Sequence, residues 1–171
     1  EPDPYLSARM PDPRRCVSVV VPILACADAY RLIVAGLPEP LRTQYVYPTE
    51  DLHVTVFDLT DAREGYKKNE ALEHVYIELF ESLAACVEPF ELALRGTVFT
   101  RNAGIIRGLD ALGGVQKHRS ELRRGLAERG LPNRERLASE SAHVTFLRWL
   151  SPPRELAALA QGLATLRTFN F

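Results

Sequence analysis

Short β-branched runs alternate along this chain with longer stretches in which apolar residues recur every three to four positions. Residues 16–23 (CVSVVVPI) read as a strand. Residues 28–37 read as a helix, stopped by Pro38 and Pro40. A second strand is predicted over 52–59. In the following stretch, 69–87, Leu72, Val75, Tyr76, Leu79, Phe80 and Leu83 fall on one helical face. Residues 90–100 and 104–109 read as two strands joined by a turn at 101–104 (RNAG). An amphipathic helix is predicted over 114–129, then a strand over 142–148. A last helix covers 153–166, with Pro153 suited to its first turn, and 168–171 opens a strand at which the chain stops. Residues 1–15 hold four prolines and little apolar material, so they read as an extended tail.

The order of these elements repeats. Strand, helix, strand, helix, strand runs from 16 to about 100, and again from 104 to the end, although the two halves share little identity. The expected architecture is α+β: a bilobal pseudo-two-fold duplication, with antiparallel sheets, helices packed outside and a central cleft. It spans 16–171 as a single domain whose final strand is cut short.

Composition narrows the possibilities. With 171 residues, 46% hydrophobic and 25% charged, the chain is an ordinary globular protein in make-up. A formal net charge of −1 announces no long nucleic-acid partner but suits a small anion held in a local pocket. Cys16, Cys26 and Cys86 are scattered and odd in number, which fits neither a disulfide framework nor a zinc site. No apolar run is long enough to cross a membrane and no signal peptide is visible, so a cytoplasmic monomer without an obligate protein partner is expected.

The chemistry concentrates in two matching segments, His53-Val54-Thr55-Val56 and His143-Val144-Thr145-Phe146. Alternate residues of a strand share a face, so each histidine points the same way as its threonine while the valines point behind. Imidazole titrates near neutrality, so one histidine can be neutral while the other is protonated. Threonine hydroxyls can donate to phosphate oxygens. In-line cleavage of a phosphodiester needs a base and an acid on opposite sides of phosphorus, and this set supplies both without a metal or cofactor.

Other residues weigh less. Tyr45 and Tyr47 stand just ahead of the first motif, where they would stack on a base or pack at the rim. Arg148 follows the second motif, but its parity opposes that of His143 and Thr145. A regular strand turns it away, and a bulge would be needed to bring it back. His74 and His118 lack a threonine partner and read as ordinary helical histidines. Arg119, Arg123, Arg124, Arg129, Arg134 and Arg136 read as a solvated helix face with its loop, or else as an RNA-binding strip.

On HVTV and HVTF, with the lead-in Pro48 to Leu52 and with Arg148 following, the chain resembles the two-histidine (2H) phosphoesterase superfamily, which includes 2′-5′ RNA ligase/cyclic phosphodiesterases. The resemblance implies two pseudo-symmetric lobes with one motif on each wall of a cleft. It makes His53 and His143 the acid/base pair and Thr55 and Thr145 the phosphate-binding hydroxyls. The substrate it implies is a small nucleotide or RNA end carrying a 2′,3′-cyclic phosphate. A 2′-5′-linked or cyclic signalling oligonucleotide, and a nucleotide- or RNA-binding module without turnover, remain as alternatives. Which histidine is the acid does not follow from the sequence.

Overall fold

A computed structural model describes residues 2–85, 88–135 and 139–151. Among these residues there are five helices, α1 (Pro4–Ser7), α2 (Ala27–Ala35), α3 (Glu39–Arg42), α4 (Glu70–Ala84) and α5 (Gly114–Glu128). The strands are β1 (Ser18–Pro22), β2 (Tyr45–Val46), β3 (His53–Asp58), β4 (Ala93–Phe99), β5 (Ala103–Leu109) and β6 (Ala142–Arg148). The expected helix over 153–166 and strand from 168 lie outside the described residues.

The six strands form one open antiparallel sheet in the order β1-β3-β6-β5-β4, with β2 paired to β6. The two motif strands are therefore neighbours at its centre. Helices α2, α4 and α5 pack on one face. Tyr30 and Ile33 of α2 and Val115 of α5 bury against Val54 and Val144. Tyr76 and Leu79 of α4, with Leu122 and Leu126 of α5, bury against Val56 and Phe57. The valines between the motif histidines and threonines thus anchor the sheet to its helices, and the polar motif residues are left on the other face.

Of the three helices that cover this core, α4 and α5 are capped by side chains. Asn69 accepts from the Leu72 amide at the start of α4. The Asp110 carboxylate accepts from the amides of Gly114, Val115 and Gln116, which fixes α5 directly behind β5. Ahead of the sheet, Asp3 caps the single turn α1, and the Asp3 amide and Ser7 hydroxyl donate to the carbonyls of Trp149 and Leu150. The N-terminal segment is strapped across the end of β6.

Neither motif strand alternates to its end, and the reason is the same in both. Val19 pairs with Phe57 but Val20 with Thr55, so Val56 is an extra residue in β3. Gly104 pairs with Leu147 but Ile105 with Thr145, so Phe146 is an extra residue in β6. Each bulge falls one residue after the motif threonine. It sends two consecutive side chains into the core, Val56 with Phe57 and Phe146 with Leu147. It also returns the next residue, Asp58 or Arg148, to the face of the motif.

The β6 bulge is closely packed. A Cβ added at Gly104 would lie 2.8 Å from Phe99 Cε1 and 3.0 Å from Phe146 Cζ. Gly104→Ala should lower the free energy of unfolding by about 1–3 kcal/mol, an overpacking cost, as read by chemical denaturation. An unchanged denaturation midpoint would contradict this packing.

Candidate active site

The site is built on the single bridge between the motif strands, Val54 opposite Val144. The antiparallel register through that bridge sets His53 alongside Thr145 and His143 alongside Thr55. Residues directly opposite on antiparallel strands share a face, so all four groups lie together on the side that carries no helix among the described residues. The two histidines occupy a diagonal. Diagonal cross-strand neighbours lie roughly 7–8 Å apart, which leaves room for one phosphoryl group between two imidazoles. The threonines take the other diagonal, from which both hydroxyls can reach the same group.

The two histidines differ in surroundings. His53 is exposed, and its Nδ1 lies 2.7 Å from the Asp51 carbonyl oxygen. A carbonyl only accepts, so Nδ1 carries a proton and Nε2 is the nitrogen left without that contact. His143 keeps an open edge to solvent but is crowded by protein. This burial pushes its pKa below the ordinary imidazole value, and the cations Arg119 and Arg148 push it in the same direction. His143 is thereby held neutral to lower pH.

Arg148 reaches this face because of the Phe146 bulge, so the parity argument that turned it away fails for a physical reason that a regular strand does not contain. It is half-buried, pairs across the ladder with Tyr45, and is close enough to act on His143. Tyr45 therefore stands beside the motif residues as well. Tyr47 is held differently. It packs against the core, its amide donates to the Phe146 carbonyl, and its ring meets that of Tyr45 edge-on at 5.0 Å.

Three arginines that the sequence did not mark as site residues also converge here. Arg119 is only 2% exposed, so it does not belong to a solvated helix face. Its guanidinium donates to the carbonyls of Thr55 (3.1 Å), Val56 (2.8 Å) and Ser139 (3.0 Å). It thus holds the β3 bulge and ties that strand to the segment leading into β6. Arg107 is opposite His143 and Arg95 is opposite Arg107, so both lie on the motif face. Alternation alone could place Arg107 on the face of Ile105. Only the register could place it next to His143.

The remaining candidates are used structurally. His74 pairs with Glu78 on the surface of α4, and His118 Nδ1 contacts the Gly114 carbonyl within α5 while its ring packs on Phe90. Arg123 is bidentate to Glu135, Arg124 meets Glu121 and Glu128, and Arg129 donates to the Gly125 carbonyl. These three arginines are thus engaged within the molecule, Arg134 is exposed in the loop beyond them, and Arg136 lies outside the described residues. Among the described residues, no three His, Cys, Asp or Glu side chains gather as a metal site, and no helix is long and apolar enough to cross a membrane.

A cavity of about 620 Å³ lies behind the sheet. It is lined by apolar groups including Val54, Val56, Phe90 and Leu94, and by no motif histidine or threonine. The motif histidines and threonines converge on the other face of the sheet, and the cavity sits back to back with them.

No protein-family model and no curated protein matches this chain. Among solved structures it is similar to the crystal structure of TT0787 of Thermus thermophilus, with a TM-score of 0.58 and 21% identity, over 83% of this chain and 77% of that one. At that identity the likeness is one of fold: a mixed α+β chain built on an open antiparallel sheet.

Proposed function

We propose that this chain is a 2H phosphoesterase that hydrolyses 2′,3′-cyclic phosphates of nucleotides or RNA ends without a metal or cofactor. The observation that carries the reading is the crossed placement of the two His-Thr pairs on adjacent central strands. The bulge repeated one residue after each motif also favours reading the sheet as two pseudo-equivalent halves. In keeping with the sequence, the protein acts as a cytoplasmic monomer.

In the proposed reaction, neutral His143 takes a proton from water, whose oxygen attacks phosphorus in line. The P–O3′ bond breaks, and protonated His53 gives its proton to the departing 3′ oxygen, leaving a 2′-phosphate. The depressed pKa of His143 suits the base. The Asp51 carbonyl beside His53 Nδ1 fixes that nitrogen as a donor and leaves Nε2 to serve the leaving oxygen, which suits the acid. Thr55 and Thr145 donate to the non-bridging oxygens as charge builds on them.

The threonines give a test separate from the histidines. Thr55→Val and Thr145→Val keep the β-branched shape and remove the hydroxyl. Each should lower kcat by about 10²-fold with a smaller change in KM, in steady-state hydrolysis of a 2′,3′-cyclic nucleotide. Unchanged kcat in both variants would remove the hydroxyls from the mechanism.

A further inference from the structure

The motif face continues past His143 into a row of positive charge. Arg107 lies directly opposite His143, and Arg95 directly opposite Arg107. Both are exposed, and neither finds a carboxylate partner among the described residues. Like charges facing each other across a ladder destabilise a sheet. Here β4, β5 and β6 contain no acidic residue to relieve them. Exposed apolar groups on the same strands, Val98 and Leu109, flank the pair. An arrangement that costs stability and faces the reacting groups is accounted for by an anion that bridges the two guanidiniums.

Spacing fixes which anion. Adjacent strands lie about 4.8 Å apart, so along the backbone the midpoint of the two arginine positions lies about 7 Å from that of His143. A single ribose spans such a separation between its two phosphate positions.

We propose that Arg95 and Arg107 form a second phosphate subsite, which selects a nucleoside carrying a 5′-phosphate or 5′-phosphodiester in addition to the reacting 2′,3′-cyclic phosphate. This rests on the function proposed above. The preferred substrate is then the 2′,3′-cyclic end of a 5′-phosphorylated nucleotide or an oligonucleotide, and a nucleoside 2′,3′-cyclic phosphate lacking the 5′ group is a poorer one.

The test compares a nucleoside 2′,3′-cyclic phosphate with its 5′-phosphorylated form, on the native protein and on an Arg95→Gln/Arg107→Gln variant. The native protein should favour the 5′-phosphorylated substrate by about tenfold in kcat/KM, the worth of two partly exposed charge contacts. The variant should lose that ratio. Equal kcat/KM for both substrates in the native protein would overturn the subsite and leave the phosphoesterase reading standing. If neither substrate turns over, the phosphoesterase reading falls, and calorimetry still decides the subsite. A nucleoside 3′,5′-bisphosphate should bind the native protein about tenfold more tightly than the 3′-monophosphate, with a steeper salt dependence that the variant loses. Equal affinity for the two ligands overturns the subsite.

Discussion

Replacing either His53 or His143 by Ala should reduce hydrolysis of a 2′,3′-cyclic nucleotide by about 10³-fold or more, while chelation with EDTA changes nothing. A positioned acid or base contributes about 10²–10⁴-fold, and the two act in one transition state, so losing one strands the other. The double variant should therefore be hardly slower than either single one. Folding should survive, because both side chains lie on the open face and the core packs through the valines beside them. The measurement is a steady-state rate on each variant, alongside its thermal unfolding. Near-native rates in both single variants, or loss of activity on chelation, would sink the two-histidine mechanism.

The geometry behind this expectation was partly legible in the sequence. Alternation in HVTV and HVTF placed each histidine with its threonine and each valine in the core, and the structure agrees at all of these positions. The helices over 27–35, 70–84 and 114–128 followed from apolar periodicity and lie within a few residues of the expected spans. Two kinds of information were not local. The first was strand adjacency. That β3 lies beside β6, and that Arg107 lies beside His143, depends on contacts between residues 36 or more apart, which no period in the sequence encodes. The second was the bulge. HVTFLR reads as unbroken alternation only as far as Phe146, and two apolar residues in succession are equally consistent with a strand end. That ambiguity is why strand parity alone turned Arg148 away, and why a bulge was needed to bring it back. The two-residue strand β2 and the short helix α3 escaped notice because neither is long enough to show a period.

Arg119 shows why one residue type can mean opposite things within a single helix. Its neighbours Arg123, Arg124 and Arg129 use carboxylates or the helix's own carbonyl, as surface arginines do. Arg119 occupies the inward stripe with Val115, Leu122 and Leu126, a position where the periodicity asks for an apolar side chain. A charge in the wrong place of a helical pattern was the one available signal, and it points to a buried acceptor that needs a donor. The carbonyls at the β3 bulge are that acceptor. At the matching β6 bulge the Phe146 carbonyl takes the Tyr47 amide, so only one of the two bulges depends on a side-chain cation.

Arg119→Met should accordingly do two separable things. It removes a donor from the carbonyls of Thr55, Val56 and Ser139, which should cost about 2–4 kcal/mol of stability. It also removes a cation from beside His143. The His143 pKa lies below the ordinary imidazole value because of burial first, then Arg119, then Arg148, and Arg107 faces the same ring from β5. Removing Arg119 takes away one of the influences that disfavour the imidazolium, so the pKa rises part of the way back. A base works only when neutral. The acidic limb of kcat/KM should therefore move to higher pH in Arg119→Met, and activity should recover in part as the pH is raised. Arg119→Lys keeps the charge but lacks the planar fork. It should lose stability and rate while the acidic limb stays near its native position. Histidine resonances followed by NMR titration give the same answer without turnover: His143 should titrate below 6.5 in the native protein and higher in Arg119→Met. If Arg119→Met is merely less stable, with the His143 titration and the acidic limb unmoved, then Arg119 is a strut of the β3 bulge and has no part in choosing which histidine is the base.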